Sequence, residues 1–389
     1  QTITFFSADP DTGVFGGSST LLGTASSGLT VTFGTTTPSI CDVTGSTVSY
    51  LAVGTCTVTA DQAGDADYNP APTVFGDIPV GKADQVITDF IATPASGSVG
   101  DMPTLSATGG ASGNPVIFGS MTMSVCTVSG NTVTLLTSGT CTVTANQAGN
   151  DNFNPAPQVT TDISVDKANQ TISGLAADPV SGVVDGSSSL SATASSGLPV
   201  TFGSSTLGVC TVAGSTVSYL TAGTCTVTAD QAGDDDYNAA PQVTLDITVA
   251  KADQVITDFI ATPANGDVGD MPVLSATGGA SGNPVTFGSN TLSVCTVSGN
   301  TVTLLTSGTC TVTADQAGND DYNAATQVTL DIGVAKADQT INGFAADPAS
   351  GVFGGSSELS ATASSGLPVT FGSSTPGVCT VTGSTVSYL

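Results

Sequence analysis

An all-β protein built as a tandem array of small two-sheet sandwiches is what three features of this sequence predict. The first is a repeat: Gln-Thr/Val-Ile recurs at Gln1, Gln85, Gln170, Gln254 and Gln339, a period of 84 or 85 residues. Such a period exceeds the solenoid repeats and suits one small independent domain. The second is period-2 alternation in short segments, parted by clusters of Gly, Ser, Asp, Asn and Pro that signal turns. The third is composition, because only Glu358 among the 31 acidic residues is a glutamate. Aspartate suits turns where glutamate suits helices, and abundant Thr, Ser, Val and Gly point the same way.

The unit 170–253 shows the elements in order. Alternation predicts strands at 170–175, 188–194, 199–203, 209–212, 215–220, 224–229 and 242–249. Seven short strands in a unit of this size predict an immunoglobulin-like β-sandwich, with a barrel of similar size as the alternative. In the run Thr224 to Ala229, Cys225, Val227 and Ala229 share one face and the threonines take the other. Cys210 and Val212 likewise share a face, so both cysteines are expected to point into the core beside Val200 and Phe202.

Expected domains are 1–84, 85–169, 170–253 and 254–338, with a partial one at 339–389. The first, third and fifth carry a phrase of the type Ala-Ser-Ser-Gly-Leu-Pro-Val-Thr-Phe-Gly (type A). The second and fourth read Gly-Gly-Ala-Ser-Gly-Asn-Pro-Val instead (type B). Gln1 is in phase with the repeat and Leu389 falls in mid-repeat, so the chain is expected to be a window on a longer polypeptide. Alternation of unlike neighbours would hinder strand exchange during folding; duplication of an ancestral pair is the simpler account.

Cysteines pair by spacing as Cys41/Cys56, Cys126/Cys141, Cys210/Cys225 and Cys295/Cys310, with the mate of Cys379 expected past the end of this segment. Two cysteines per unit without histidine cannot fill a four-ligand zinc site. One structural disulfide per domain is the expectation, and it implies an oxidising, exported setting, extracellular or at the cell surface. A net charge of -27 with four lysines and no arginine repels nucleic acid and anionic membrane. No apolar run approaches the 18 or so residues of a membrane span.

The phrases Leu-Pro-Val-Thr-Phe-Gly-Ser-Ser-Thr from Leu198, Val-Cys-Thr-Val from Val209 and Gly-Thr-Cys-Thr-Val-Thr-Ala-Asp-Gln-Ala-Gly-Asp from Gly223 resemble bacterial immunoglobulin-like (Big-type) tandem repeats. That resemblance covers the whole chain. It implies a place in large exported surface or adhesin-type proteins, where such repeats mostly serve as spacers. Fold likeness alone supplies no activity.

Between repeats only phrases such as Lys251-Ala-Asp intervene, with no Gly/Ser tract or Pro-rich hinge. Successive sandwiches are therefore expected to lie end to end with restricted bending. Lys82, Lys167, Lys251 and Lys336 sit one at each junction and read as solvated linker charges, with an isopeptide cross-link as the alternative. The strongest polar cluster is the acidic loop carrying Asp230, Asp234 and Asp236, with counterparts at Asp61, Asp65 and Asp67 and at Asp315, Asp320 and Asp321. Type B repeat two offers Asn146, Asn150, Asp151 and Asn152 there. Calcium takes six to eight oxygens and such a loop offers several; a solvated turn is the plain alternative. Tyr68, Phe153, Tyr237 and Tyr322 follow these loops and read as corner residues of their own domains, or as a glycan-stacking platform. Asn169-Gln170-Thr171 is a glycosylation sequon.

Without histidine, acid–base work near neutral pH would need a perturbed carboxylate or lysine. Serine nucleophiles lack a visible base, and no phosphate loop or dinucleotide fingerprint occurs. The sequence therefore predicts no enzyme. It predicts a structural repeat region of an extracellular filament, fibre or cell-surface stalk, giving length, stiffness and protease resistance, with copies of itself or other surface proteins as partners. The alternative is an adhesin binding glycan or protein through its acidic loops, with calcium as its one candidate cofactor.

Overall fold

Strands form where alternation puts them, and the sheets they build are seen in a computed structural model that describes residues 1–389. No helix is present, so none is long and apolar enough to cross a membrane. In the first repeat the strands are β1 (Ile3–Asp9), β2 (Gly13–Val14), β3 (Ser18–Ala25), β4 (Thr32–Thr35), β5 (Cys41–Thr44), β6 (Thr47–Tyr50), β7 (Gly54–Asp61) and β8 (Val74–Gly81). One sheet has the order β1-β3-β6-β5 and the other β2-β8-β7-β4. These are the two sheets of an immunoglobulin-like sandwich with its extra edge strand. The second, third and fourth repeats repeat both orders.

The eighth strand is absent from the sequence expectation of seven. Strand β2 is two residues long and pairs in parallel with β8, Gly13 opposite Val80 and Val14 opposite Gly81. A pairing so short and so remote in sequence leaves no alternation to read. A glycine makes it possible, because a Cβ on Gly13 would lie 2.4 Å from the ring of Tyr50, and one on Gly182 would lie 2.5 Å from Tyr219.

Each core is the set of inward residues of the two sheets. In the third repeat Leu190, Val217, Tyr219, Val227, Ile247 and Val249 surround the cysteines. The hydroxyl of Tyr219, 2% exposed, donates to Ser188 Oγ at 2.6 Å, which satisfies the one polar atom this ring buries. Disulfides join Cys41 to Cys56, Cys126 to Cys141, Cys210 to Cys225 and Cys295 to Cys310, all fully buried. Because β5 and β7 belong to different sheets, the first bridge staples one sheet to the other.

By proximity the chain divides into two units. One holds Gln1–Leu175 with Ser191–Thr201 and Ala229–Thr244, and the other holds Ala176–Leu190 with Phe202–Thr228 and Leu245–Leu389. The division cuts the third repeat rather than following the 84/85-residue period. Residues 339–389 form a single four-stranded sheet, with Phe344 70% exposed and Cys379 a half-buried free thiol.

Candidate functional site

Within each unit, the acidic loops of the second, third and fourth repeats lie where that repeat meets the one before it. Their shape comes from local chemistry. Asp65 Oδ1 accepts the N–H groups of Asp67 and Tyr68 at 2.8 and 2.9 Å. Asn150, Asp234 and Asn319 do the same in the other repeats. This is an aspartate or asparagine side chain imitating a backbone turn, and it explains why Asn replaces Asp there without loss of form.

In the first unit, Ala83 N–H donates to the carbonyl of Asn152 at 3.0 Å, and Asn154 N–H returns a bond to the carbonyl of Ala83 at 2.9 Å. Lys82 Nζ reaches the carbonyl of Asn150 at 2.6 Å. The linker is thus zipped to the loop of the repeat it introduces. The side chain of Asn152 then faces the preceding repeat, where its Oδ1 accepts the N–H of Val53 at 3.3 Å. Beside it the rings of Phe15 and Phe153 meet edge to face at 5.2 Å.

The following joint in the same unit uses Asp236. Its Oδ1 accepts from Ser138 N–H at 2.8 Å, and the Ser138 hydroxyl donates to the carbonyl of Asp235 at 2.6 Å. Ala168 and Asn238 repeat the backbone zip at 2.8 and 2.9 Å, and Lys167 Nζ bonds the carbonyl of Asp234. In the second unit, Ala222 N–H donates to Asp321 Oδ1 at 2.8 Å and Lys251 Nζ to the carbonyl of Asn319 at 2.6 Å. There the hydroxyl of Tyr322 donates to Asp185, and the ring packs against the third repeat's core. That hydrogen bond to Asp185, foremost among the causes, raises the Tyr322 pKa above 10.0.

These placements revise several sequence expectations. Phe153 and Tyr322 contact the preceding repeat rather than turning a corner of their own. Lys82, Lys167 and Lys251 are exposed but engaged with loop carbonyls, not with a carboxamide or carboxylate carbon as a cross-link requires. Asp230 and Asp315 accept from Gln242 and Gln327, each just ahead of its repeat's last strand, and Asp61 accepts from the Thr73 hydroxyl. Asp61, Asp65, Asp67, Asp230, Asp234, Asp236, Asp315, Asp320 and Asp321 do not gather into groups of three carboxylates. Asn169 is exposed, and its Oδ1 accepts from Asn238 Nδ2 at 3.0 Å. Asp67 and Tyr68 are exposed, whereas Asn152, Phe153, Asp236, Tyr237, Asp321 and Tyr322 are half-buried.

Sequence reasoning missed the joint itself. Its trace was present: an Asn or Asp directly before a ring residue in each loop, in step with one lysine per period.

No family model matches this chain, and no curated protein does. Among solved structures, domains 1–6 of the surface-layer protein SbsC align at 16% identity with a TM-score of 0.24, covering 99% of this chain and 62% of that one. Drosophila N-cadherin EC1-4 aligns at 12% and 0.23, covering 79% and 92%. Sidekick-1 immunoglobulin domains 1–4 align at 12% and 0.25, covering 83% and 96%. Overlaps this loose carry no argument; the fold rests on the strand order above.

Proposed function

We propose that this chain is a structural repeat region of an extracellular filament, fibre or cell-surface stalk, whose joints limit the swing between neighbouring sandwiches. The observation that carries this is the recurrence of one hydrogen-bond set at three junctions, with Asn152, Asp236 or Asp321 accepting a backbone N–H of the preceding repeat. Domains joined by a plain tether move freely as a rule; here the linker residues Ala83, Ala168 and Ala252 are paired instead. Buried disulfides fit an oxidising, extracellular setting. Strong negative charge favours solubility, and with no arginine and only four lysines the chain offers trypsin-like proteases few cuts. The function is mechanical and not catalytic, with copies of the chain or other surface proteins as neighbours.

The carboxylates of Asp65, Asp234, Asp236 and Asp321, already accepting backbone N–H groups, weigh against the loops as glycan or calcium sites. The test is small-angle scattering and electron microscopy of the chain in calcium and in chelator. A stiff particle of equal length in both supports the proposal. A freely swinging string of beads in both overturns it, and stiffness only in calcium favours the adhesin alternative.

A further inference from the structure

The glutamine that opens each repeat marks the period in sequence; in the fold it sits against the acidic loop. We propose that it is the positioning residue of the joint, holding loop and linker in register for the preceding repeat, a role that rests on the mechanical reading above. Gln85, Gln170 and Gln254 are 5%, 2% and 6% exposed. An amide buried that far needs its partners, and these have them. Gln170 Nε2 donates to the carbonyl of Asn238 at 2.7 Å and to Gln231 Oε1, while its own Oε1 accepts from Ser196. Gln85 donates to the carbonyls of Asn154 at 2.9 Å and Ala148 at 3.2 Å, and accepts from Ser112 N–H at 2.9 Å. Gln254 repeats this with Asn323, Ala317 and Ser281.

The partners differ between repeat types, but one bond is common: the amide always donates to the carbonyl of the Asn after the ring residue. That Asn is the one whose N–H zips the linker through Ala83, Ala168 or Ala252. The glutamine therefore fixes the loop from behind while the linker fixes it from the side.

Trypsin tests this in the full disulfide-bonded chain, because each of the four lysines reports one junction. Cutting of a folded chain tracks how often the site opens. Gln170→Leu removes all three bonds, and loss of the one to the Asn238 carbonyl alone is expected to raise cutting after Lys167 about tenfold. Lys82 and Lys251 should be cut as in the parent chain. Ser196→Ala, which spares the bond to the loop, should leave Lys167 unchanged. Hydrogen exchange across 210–228 shows whether the sandwich itself has opened. Faster cutting at Lys167 with that core still protected supports the positioning role. An unchanged rate overturns it, as does core protection falling in step with cutting, or Ser196→Ala matching Gln170→Leu. Scattering of the parent chain is read separately, so a flexible parent with a Gln170-dependent rate would remove the stalk and keep the positioning residue.

Discussion

Replacing Asp236 by alanine should loosen the junction between the second and third repeats without unfolding either. Asp236 Oδ1 accepts the Ser138 N–H at 2.8 Å, and both residues are half-buried, so water can partly take its place. A lost hydrogen bond of this kind costs about 1 kcal/mol, within a range of roughly 0.5–1.5. The open fraction of the joint should then rise about fivefold. The structure also supplies the control: Asn152 does the same work with an amide oxygen at 3.3 Å. Asp236→Asn should therefore keep most of the restraint. The assay is single-molecule energy transfer between labels in repeats two and three, read as the width of the distance distribution. Broadening in Asp236→Ala with little change in Asp236→Asn is the expected result. Equal broadening in both would show that charge rather than acceptor geometry holds the joint, and no broadening in either would refute the reasoning.

Three further outcomes follow from the same structure. Cys210→Ala with Cys225→Ala opens a loop with a sequence separation of 15, worth about 3 kcal/mol in the chain-entropy model; calorimetry should show that repeat's transition fall by roughly 12–24 °C. Gly182→Ala drives a methyl to 2.5 Å from the Tyr219 ring, an overpacking cost of about 1–3 kcal/mol, readable as a lower denaturant midpoint. Tyr322 donates to Asp185 and its pKa is raised, so a phenol freed from the joint ionises first. Its contribution is complete below pH 10 and is lost as pH climbs through the raised value; ultraviolet titration should show Tyr322 ionising later in the parent chain than in Asp185→Ala.

Much of one repeat was legible in the chain. Thr224 to Ala229 alternates strictly, and alternation has one geometric solution in a half-buried strand; the structure places Cys225, Val227 and Ala229 inside at 0% exposure. Turn residues bounded the strands for a similar local reason. The two-residue strand at Gly182–Val183 escaped because its partner lies more than 60 residues away, and nothing local specifies it. The joint escaped for another reason. Asp236 looks like any solvated turn aspartate until Ser138 of the preceding repeat, at a sequence separation of 98, is brought against it.

Sequence by itself determined the repeat, the strands and the inward face of the cysteines, all matters of period and local backbone preference. Only the tertiary structure decided that the acidic loops serve as joints and that the leading glutamines lie buried behind them. Both depend on which distant carbonyls and N–H groups meet, and a hydrogen bond between remote residues has no signature in the spacing of either.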